Sequence, residues 1–281
     1  MRTIESPQNA RVKELRAGLK QGRTKSGLIA IEGEHLLEEA LRSGLTVHTI
    51  FVRRGMERRL EAILPGQVPS EGTEVLLLES DLFRSASATE NPQGLAALLE
   101  PPEFSLSAAF EGTPLLLVAA GIQDPGNLGT LVRSAEAFGA TGVLLLPGTV
   151  SLWNAKTLRA SSGSAFRLPS FAIGEEETIE LLRRHGVRLF AATPHDGNRS
   201  PDLAQPAAIL LGNEGAGLPE QWLLRADQTV TIPCPGAVES LNAAVAGSVL
   251  LYEAARQRLE KAAGPRQRIN RHPNRRNGIS R

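Results

Sequence analysis

Val12, Leu15 and Leu19 recur at near-helical spacing among Arg11, Lys13, Arg16 and Lys20, so residues Pro7–Arg23 read as an amphipathic helix. The apolar run from Leu28 to Ile31, ending in Glu32-Gly33, predicts a short strand. A helix over Glu34–Ser43 follows, with Leu36, Leu37, Ala40 and Leu41 on one side. The pattern then alternates: strand Val47–Arg53, helix Met56–Leu64, strand Glu74–Leu78, helix Ser80–Ser87 and strand Gly94–Glu100. Residues 1–100 therefore predict a small α/β domain. The texture changes over Pro101–Pro114, Pro-Pro-Glu-Phe-Ser-Leu-Ser-Ala-Ala-Phe-Glu-Gly-Thr-Pro, and this stretch reads as a linker.

Leu115-Leu116-Leu117-Val118-Ala119 opens a second α/β unit with a continuous apolar strand of the kind buried on both faces. Helix Leu128–Phe138, strand Val143–Leu146, helix Asn154–Ser161 and helix Glu176–His185 come next. Strands Arg188–Ala192 and Ala208–Leu211, a short helix near Pro219–Leu224, strand Gln228–Ile232 and a final helix from Ser240 to about Ala262 complete it. This alternation predicts a mostly parallel sheet over residues 115–263 with helices on both faces. Residues 264–281 have almost no apolar content and are expected to be disordered.

Composition narrows the function class. The chain has 281 residues, 41% hydrophobic and 22% charged, which suits two globular cores. No apolar run approaches the ~18 residues that span a bilayer, and the N-terminus lacks an apolar signal core, so no membrane partner and a cytoplasmic location are expected. The single Cys234 excludes an internal disulfide, and no metal-ligand cluster is visible, so no metal is expected. Net charge is only +1, yet residues 264–281 hold six Arg and no acid. Residues 1–25 hold seven Lys or Arg against Glu5 and Glu14. Basic ends on an acidic body suit a polyanion, or serve only solubility.

Three motifs carry candidate chemistry. In Asn127-Leu128-Gly129-Thr130-Leu131-Val132-Arg133, Asn127 is a candidate helix N-cap, and Gly129 and Arg133 share a helix face. Arg133 reaching over the space left by Gly129 forms a notch for a phosphate or an oxyanion. An ordinary surface Arg fits the same spacing. In Leu211-Gly212-Asn213-Glu214-Gly215-Ala216-Gly217-Leu218, three glycines at a strand end let backbone approach a ligand. The spacing is neither GxGxxG nor a P-loop, which counts against a dinucleotide-binding oxidoreductase. Glu214 there either braces neighbouring loops, meets substrate, or is a solvated acid. In Ile232-Pro233-Cys234-Pro235-Gly236-Ala237-Val238-Glu239-Ser240-Leu241-Asn242, a rigid loop feeds a helix N-terminus, a pocket of backbone groups. The small residues Ala243, Ala244, Ala246 and Gly247 allow close packing, either in a buried helix or against a second subunit.

Together the three motifs closely resemble those of the SpoU (TrmH-like) RNA ribose 2′-O-methyltransferases, over most of residues 115–260. Lys156–Ser164 resembles the family's Arg-x-Ser-x-Gly segment. Ile4–Asn9, Ile31-Glu32-Gly33 and Asn91-Pro92-Gln93-Gly94 resemble its N-terminal RNA-binding domain. The resemblance implies an α/β domain whose C-terminal part is tied in a trefoil knot, a homodimer, and S-adenosylmethionine as cofactor. It implies cofactor contacts from Thr193, Leu211, Gly212, Asn213, Gly217, Ile232, Pro233, Ser240 and Leu241. Arg133 is implied as the central catalytic residue, with Asn127, Glu214 and Asn242 shaping the site. A guanidinium is always protonated, so Arg133 is expected to bind phosphate or the developing alkoxide and not to remove the proton. Whether the site is completed within one chain or across the dimer stays open. The expected substrate is RNA and not DNA, most of all ribosomal RNA. The alternatives are transfer RNA, or a non-catalytic RNA-binding protein that keeps the fold.

Overall fold

The structure, a computed structural model, describes residues 1–64 and 72–263. The tail expected to be disordered, residues 264–281, lies outside the described residues. The first unit is built from β1 (Arg2–Ile4), α1 (Ala10–Gln21), β2 (Ile29–Glu32), α2 (Glu34–Arg42), β3 (Val47–Arg53), α3 (Glu57–Ile63), β4 (Glu74–Leu78), α4 (Ser80–Ala86) and β5 (Leu95–Leu99). Its sheet runs β1-β4-β3-β5-β2, parallel on the β1 side and antiparallel where β5 meets β3 and β2. The basic face of α1 stays outside while Val12, Leu15 and Leu19 are buried. Glu32 is a buried acid at the end of β2. Its carboxylate accepts the Ala88 N–H at 2.7 Å and the Thr89 hydroxyl, which fixes the loop that leads to Asn91–Gly94.

The second unit comprises β6 (Leu115–Ala119), α5 (Pro125–Ala137), β7 (Gly142–Leu145), α6 (Ala155–Ser161), β8 (Ser170–Ala172), α7 (Glu175–Arg184), β9 (Arg188–Ala192), β10 (Ala207–Leu211), α8 (Glu220–Arg225), β11 (Gln228–Val230) and α9 (Ala243–Ala263). All six strands are parallel, in the order β11-β9-β10-β6-β7-β8. The central strands β6 and β10 are buried along their whole length, as their unbroken apolar runs require. Strand order reverses between β6 and β10, which leaves a crevice outside their C-terminal ends.

Several local expectations change. The stretch 101–114 carries a 3-10 turn at Leu106–Phe110 that packs onto the second unit. Phe110 is buried and stacks on His185 with ring centroids 4.4 Å apart. Helix α5 starts at Pro125 and not at Leu128, because Asp124 caps it and proline suits the first helical position. Helix α9 starts at Ala243 and not at Ser240, because the Asn242 side chain accepts the N–H groups of Ala244 (2.9 Å) and Val245 (3.3 Å). The small face of α9 is filled within the chain: a Cβ on Gly247 would lie 2.4 Å from the Leu131 and Leu211 side chains.

The two units share one apolar cluster, which joins Ile31, Leu36 and Ala97 of the first to Leu128, Leu158 and Phe166 of the second. Arg167 adds a charged joint. It donates to Glu39 of α2 at 2.6 Å and to both oxygens of Glu136 on α5 at 2.6 and 3.0 Å. Glu39 is almost wholly buried and also receives Arg42. Gly163 (φ +89°) sits directly against Glu39, where a Cβ would meet its side chain at 2.7 Å. The hydrogen bond from Arg167 holds the Glu136 carboxyl below the ordinary carboxylate range, against a smaller opposing effect of burial. Removing one partner of such a pair strands a buried charge. Arg167→Ala is therefore expected to lower stability by about 2 kcal/mol in urea denaturation, less than a full buried pair because Arg42 remains. A depressed carboxyl stabilises above its unfolded pKa and loses that contribution as pH falls through its folded value. The gap in melting temperature between wild type and Arg167→Ala should thus shrink below about pH 4.

Candidate active site at the ends of the central strands

The crevice between β6 and β10 is closed by the loops that follow each strand. Asn213 turns the chain back on itself, with Asn213 N–H to Gly217 carbonyl at 3.0 Å and the reverse bond at 2.9 Å. The Asn213 carboxamide accepts Gly215 and Ala216 N–H groups at 2.9 Å each and donates to the Gly121 carbonyl at 2.9 Å. Gly212 is required for this turn. A Cβ there would lie 2.5 Å from the Gly217 carbonyl group and 2.6 Å from the Leu218 nitrogen.

Glu214 crosses the crevice. Its carboxylate accepts the Gln123 N–H at 3.3 Å, the Asp124 N–H at 3.2 Å and the Asn127 side-chain amide at 3.0 Å. Asn127 in turn accepts the Asn242 amide at 3.1 Å. One chain of hydrogen bonds, Glu214–Asn127–Asn242, thereby joins all three sequence motifs. Burial pulls the Glu214 carboxyl up, but bonds from Asn127, its own backbone, Gln123 and Asp124 outweigh this and hold it below the ordinary range. Asn127 is free for this bridge because Asp124, not Asn127, caps α5. The Asp-Pro pair is the sequence signal that places the cap one turn earlier. Asp124 accepts Gly126 N–H at 2.5 Å and pairs with Lys156 at 3.3 Å, and both effects lower its pKa, the Gly126 bond most. Neither Asp124 nor Lys156 is among the site residues expected from the sequence.

Beside this bridge lies a pocket of about 410 Å³. Thr193, Leu211, Gly212, Asn213, Glu214, Gly217, Ile232, Ser240 and Leu241 all line it, and Cys234 does so as well. Pro233 does not line it and is exposed. Thr193 is fixed by its hydroxyl, which donates to the His195 carbonyl at 2.9 Å. The backbone N–H groups within residues 234–241 make no hydrogen bond to any described residue. The pocket is thus walled by apolar Leu211 at the end of β10 and by Ile232 and Leu241 of the loop between β11 and α9, a loop whose backbone N–H groups over 234–241 are unused among the described residues.

Arg133 is placed differently from expectation. A Cβ on Gly129 would lie 2.4 Å from the Thr157 carbonyl oxygen and 2.5 Å from Ala160 Cβ, so α6 fills the space that was expected to form a notch. Gly129 serves the closest approach of α5 and α6. Arg133 is exposed, lies outside the pocket lining, and has no hydrogen bond or ion pair among the described residues. Its position six residues beyond Asn127 puts it about 9 Å further along the helix axis. One chain therefore assembles Asn127, Glu214, Asn242 and the pocket, and leaves Arg133 outside it.

Residues 114–252 match the sequence model of the SpoU rRNA methylase family, and residues 9–97 match an MRM3-like substrate-binding domain. The 23S rRNA (guanosine(2553)-2′-O)-methyltransferase RlmP of Bacillus subtilis is 37% identical over 255 residues, covering 90% of this chain and 98% of that protein. The chain belongs to the SpoU rRNA methylase family. A Streptomyces viridochromogenes 23S rRNA (uridine(2479)-2′-O)-methyltransferase is 32% identical over 263 residues, covering 89% of this chain and 91% of that one. The SpoU methyltransferase AviRb from the same organism, solved in complex with the cofactor AdoMet, superposes with TM-score 0.78 at 30% identity, over 90% of this chain and 99% of its own. A solved RNA 2′-O ribose methyltransferase gives TM-score 0.74 at 36% identity, over 92% of this chain and all of its own. The α/β-knot architecture expected from the SpoU motifs is that of these relatives.

The pocket suits S-adenosylmethionine in this chain's own terms. Its apolar side chains Leu211, Ile232 and Leu241 suit a flat base, and the Gly212 turn leaves no room for side chains. Gly212→Ala must push the 217–218 backbone aside. Calorimetry should show S-adenosylmethionine binding weakened at least about tenfold, the effect of ~1.4 kcal/mol. Binding equal to wild type would contradict the role given to this turn.

Proposed function

We infer that this protein is an S-adenosylmethionine-dependent methyltransferase acting on a ribose 2′-hydroxyl of ribosomal RNA. The observation that carries the reading is the Glu214–Asn127–Asn242 bridge beside the pocket, which joins the three family motifs at one crevice. The division of labour we assign is residues 1–100 to RNA binding, 101–114 to connection and 115–263 to methyl transfer. The ends of the chain, rich in Lys and Arg, add affinity for the phosphate backbone.

S-adenosylmethionine supplies an electrophilic methyl group on a cationic sulfur. The protein's part is to place the ribose oxygen against it, and such positioning alone can contribute several kcal/mol, up to about 7–11. Glu214 is already saturated by two backbone N–H groups and Asn127, and its lowered pKa makes it a weak base. Its role is to brace. Asn127 and Asn242 hold the mouth of the pocket at a fixed width. Arg133 binds the target phosphate or stabilises the developing 2′-alkoxide. The proton leaves by a route that does not use the guanidinium.

The working unit we assign is a cytoplasmic homodimer. Val245, Val249, Tyr252 and Leu259 form an exposed apolar row along α9, and Tyr252 packs edge-on against Phe138 of α5 at 5.7 Å. An apolar row on a helix this long favours burial against a second copy. Because the pocket is lined without Arg133, that pairing also supplies the simplest way for a pocket and an Arg133 to meet.

Arg133→Ala should bind S-adenosylmethionine as wild type does and transfer label from it to ribosomal RNA at least 100-fold more slowly, a barrier about 2.7 kcal/mol higher. Near-normal turnover would remove Arg133 from the mechanism. Mixed dimers of Arg133→Ala with Gly212→Ala test the second point. At an S-adenosylmethionine concentration too low to fill the Gly212→Ala pocket, a site completed across the interface regains activity in the mixture, and a site completed within one chain gains none over the parent dimers.

A further inference from the structure

A second and larger cleft opens on the same C-terminal edge of the six-stranded sheet, beyond the ends of β7 and β8. Its volume is about 920 Å³, and none of its lining residues has a part in the reaction described above. Both units and the connection between them build it. Arg23 comes from the end of the first helix, Glu103 and Phe104 from the connecting stretch, and Trp153, Phe171 and Glu177 from the second unit.

The contact between the units at this point is close. Gly22 has φ +87°, and a Cβ there would lie 3.2 Å from the Trp153 carbonyl carbon and oxygen. The Arg23 guanidinium then sits over the Trp153 indole at 5.5 Å from the ring centroid. Trp153 is only partly buried, in contrast to Trp222, which is 1% exposed. Three aromatic side chains lining one open cleft, with a guanidinium stacked on one of them, offer the surfaces on which unpaired bases stack. The two acids act in the other direction. Glu103 and Glu177 repel phosphate, so the cleft is unsuited to the RNA backbone, and each accepts hydrogen bonds from the amino edge of a base.

We propose that this cleft is a nucleobase subsite. It takes one unstacked RNA base near the target nucleotide, stacked on the Arg23–Trp153 wall, and prefers a base with an exocyclic amino group over uracil. This rests on the reading of the protein as an RNA methyltransferase. The subsite lies where the RNA-binding unit meets the catalytic sheet, on the opposite flank of β6 and α5 from the cofactor pocket. A base anchored there fixes the register of the strand that crosses the Asn127 bridge.

The test compares Trp153→Phe, which keeps a stacking face, with Trp153→Leu, which keeps apolar bulk without one. The assay is methyl transfer to ribosomal RNA extracted from cells that lack the protein. Trp153→Leu should raise KM for RNA at least tenfold with kcat within about twofold of wild type, the loss expected from one stacked base. Trp153→Phe should stay within about threefold of wild type, and both should bind S-adenosylmethionine normally. An unchanged KM in Trp153→Leu overturns the subsite, as does equal loss in both variants. A wild-type protein inactive on this RNA overturns the underlying reading instead. Should Trp153→Leu fail to fold, the wild type still decides: saturating RNA must quench the tryptophan emission that Trp153→Phe lacks, and no quenching overturns the subsite.

Discussion

The chain of hydrogen bonds from Glu214 through Asn127 to Asn242 is the constraint on which the site depends. Each of the three residues leaves a different element: the loop after β10, the first turn of α5 and the cap of α9. A carboxylate that accepts three donors is worth more than three neutral bonds, since the acceptor is charged. Losing Asn127 would remove one of the three donors to Glu214 and the one acceptor of the Asn242 amide at once. The same residues fix the helix starts. Asn242 caps α9 with its oxygen while its nitrogen reaches Asn127, so the mouth of the pocket and the onset of the helix are one feature.

A second constraint works at a distance from the pocket. Arg167 ties Glu39 of the first unit to Glu136 on α5, one turn from Arg133. The Arg159–Gly163 segment packs at the same joint, where Gly163 abuts Glu39 and Ser162 meets His35 at 2.7 Å. This gives a physical reason for small residues in that segment. They are needed for the close approach of two units, and Ser161 is buried with its hydroxyl returned to the Leu158 carbonyl. The two units are thereby held in one register.

Much of this is legible in the sequence because long apolar runs and helical periodicity survive folding unchanged, as in β6, β10 and α7. The two strands that the pattern does not reveal, β1 and β8, have three residues each, too few for periodicity to develop, and the equally short β11 is legible only because the apolar run continues through Ile232 to the Pro-rich loop. Gly and Pro spacing marks the two loops that wall the pocket, 212–217 and 232–241, whereas the individual contacts, Thr193 among them, are implied only by the family resemblance, and Pro233 is exposed. Gly129 misleads because a helical glycine does not say whether its empty side is solvent or another helix. Here α6 occupies it. The joint through Arg167 is invisible in the sequence because its partners are 128 and 31 residues away. Their types, Arg and Glu, are also those of any solvated surface.

These elements together serve the methylation of one ribose of ribosomal RNA. The most direct test is a quantitative map of 2′-O-methylation across all RNA of the source cell, with and without an intact copy of this protein. A single 2′-O-methyl group in ribosomal RNA should disappear without the protein and return when the wild-type protein is restored. An unchanged ribosomal RNA map, or a loss confined to transfer RNA, would contradict this.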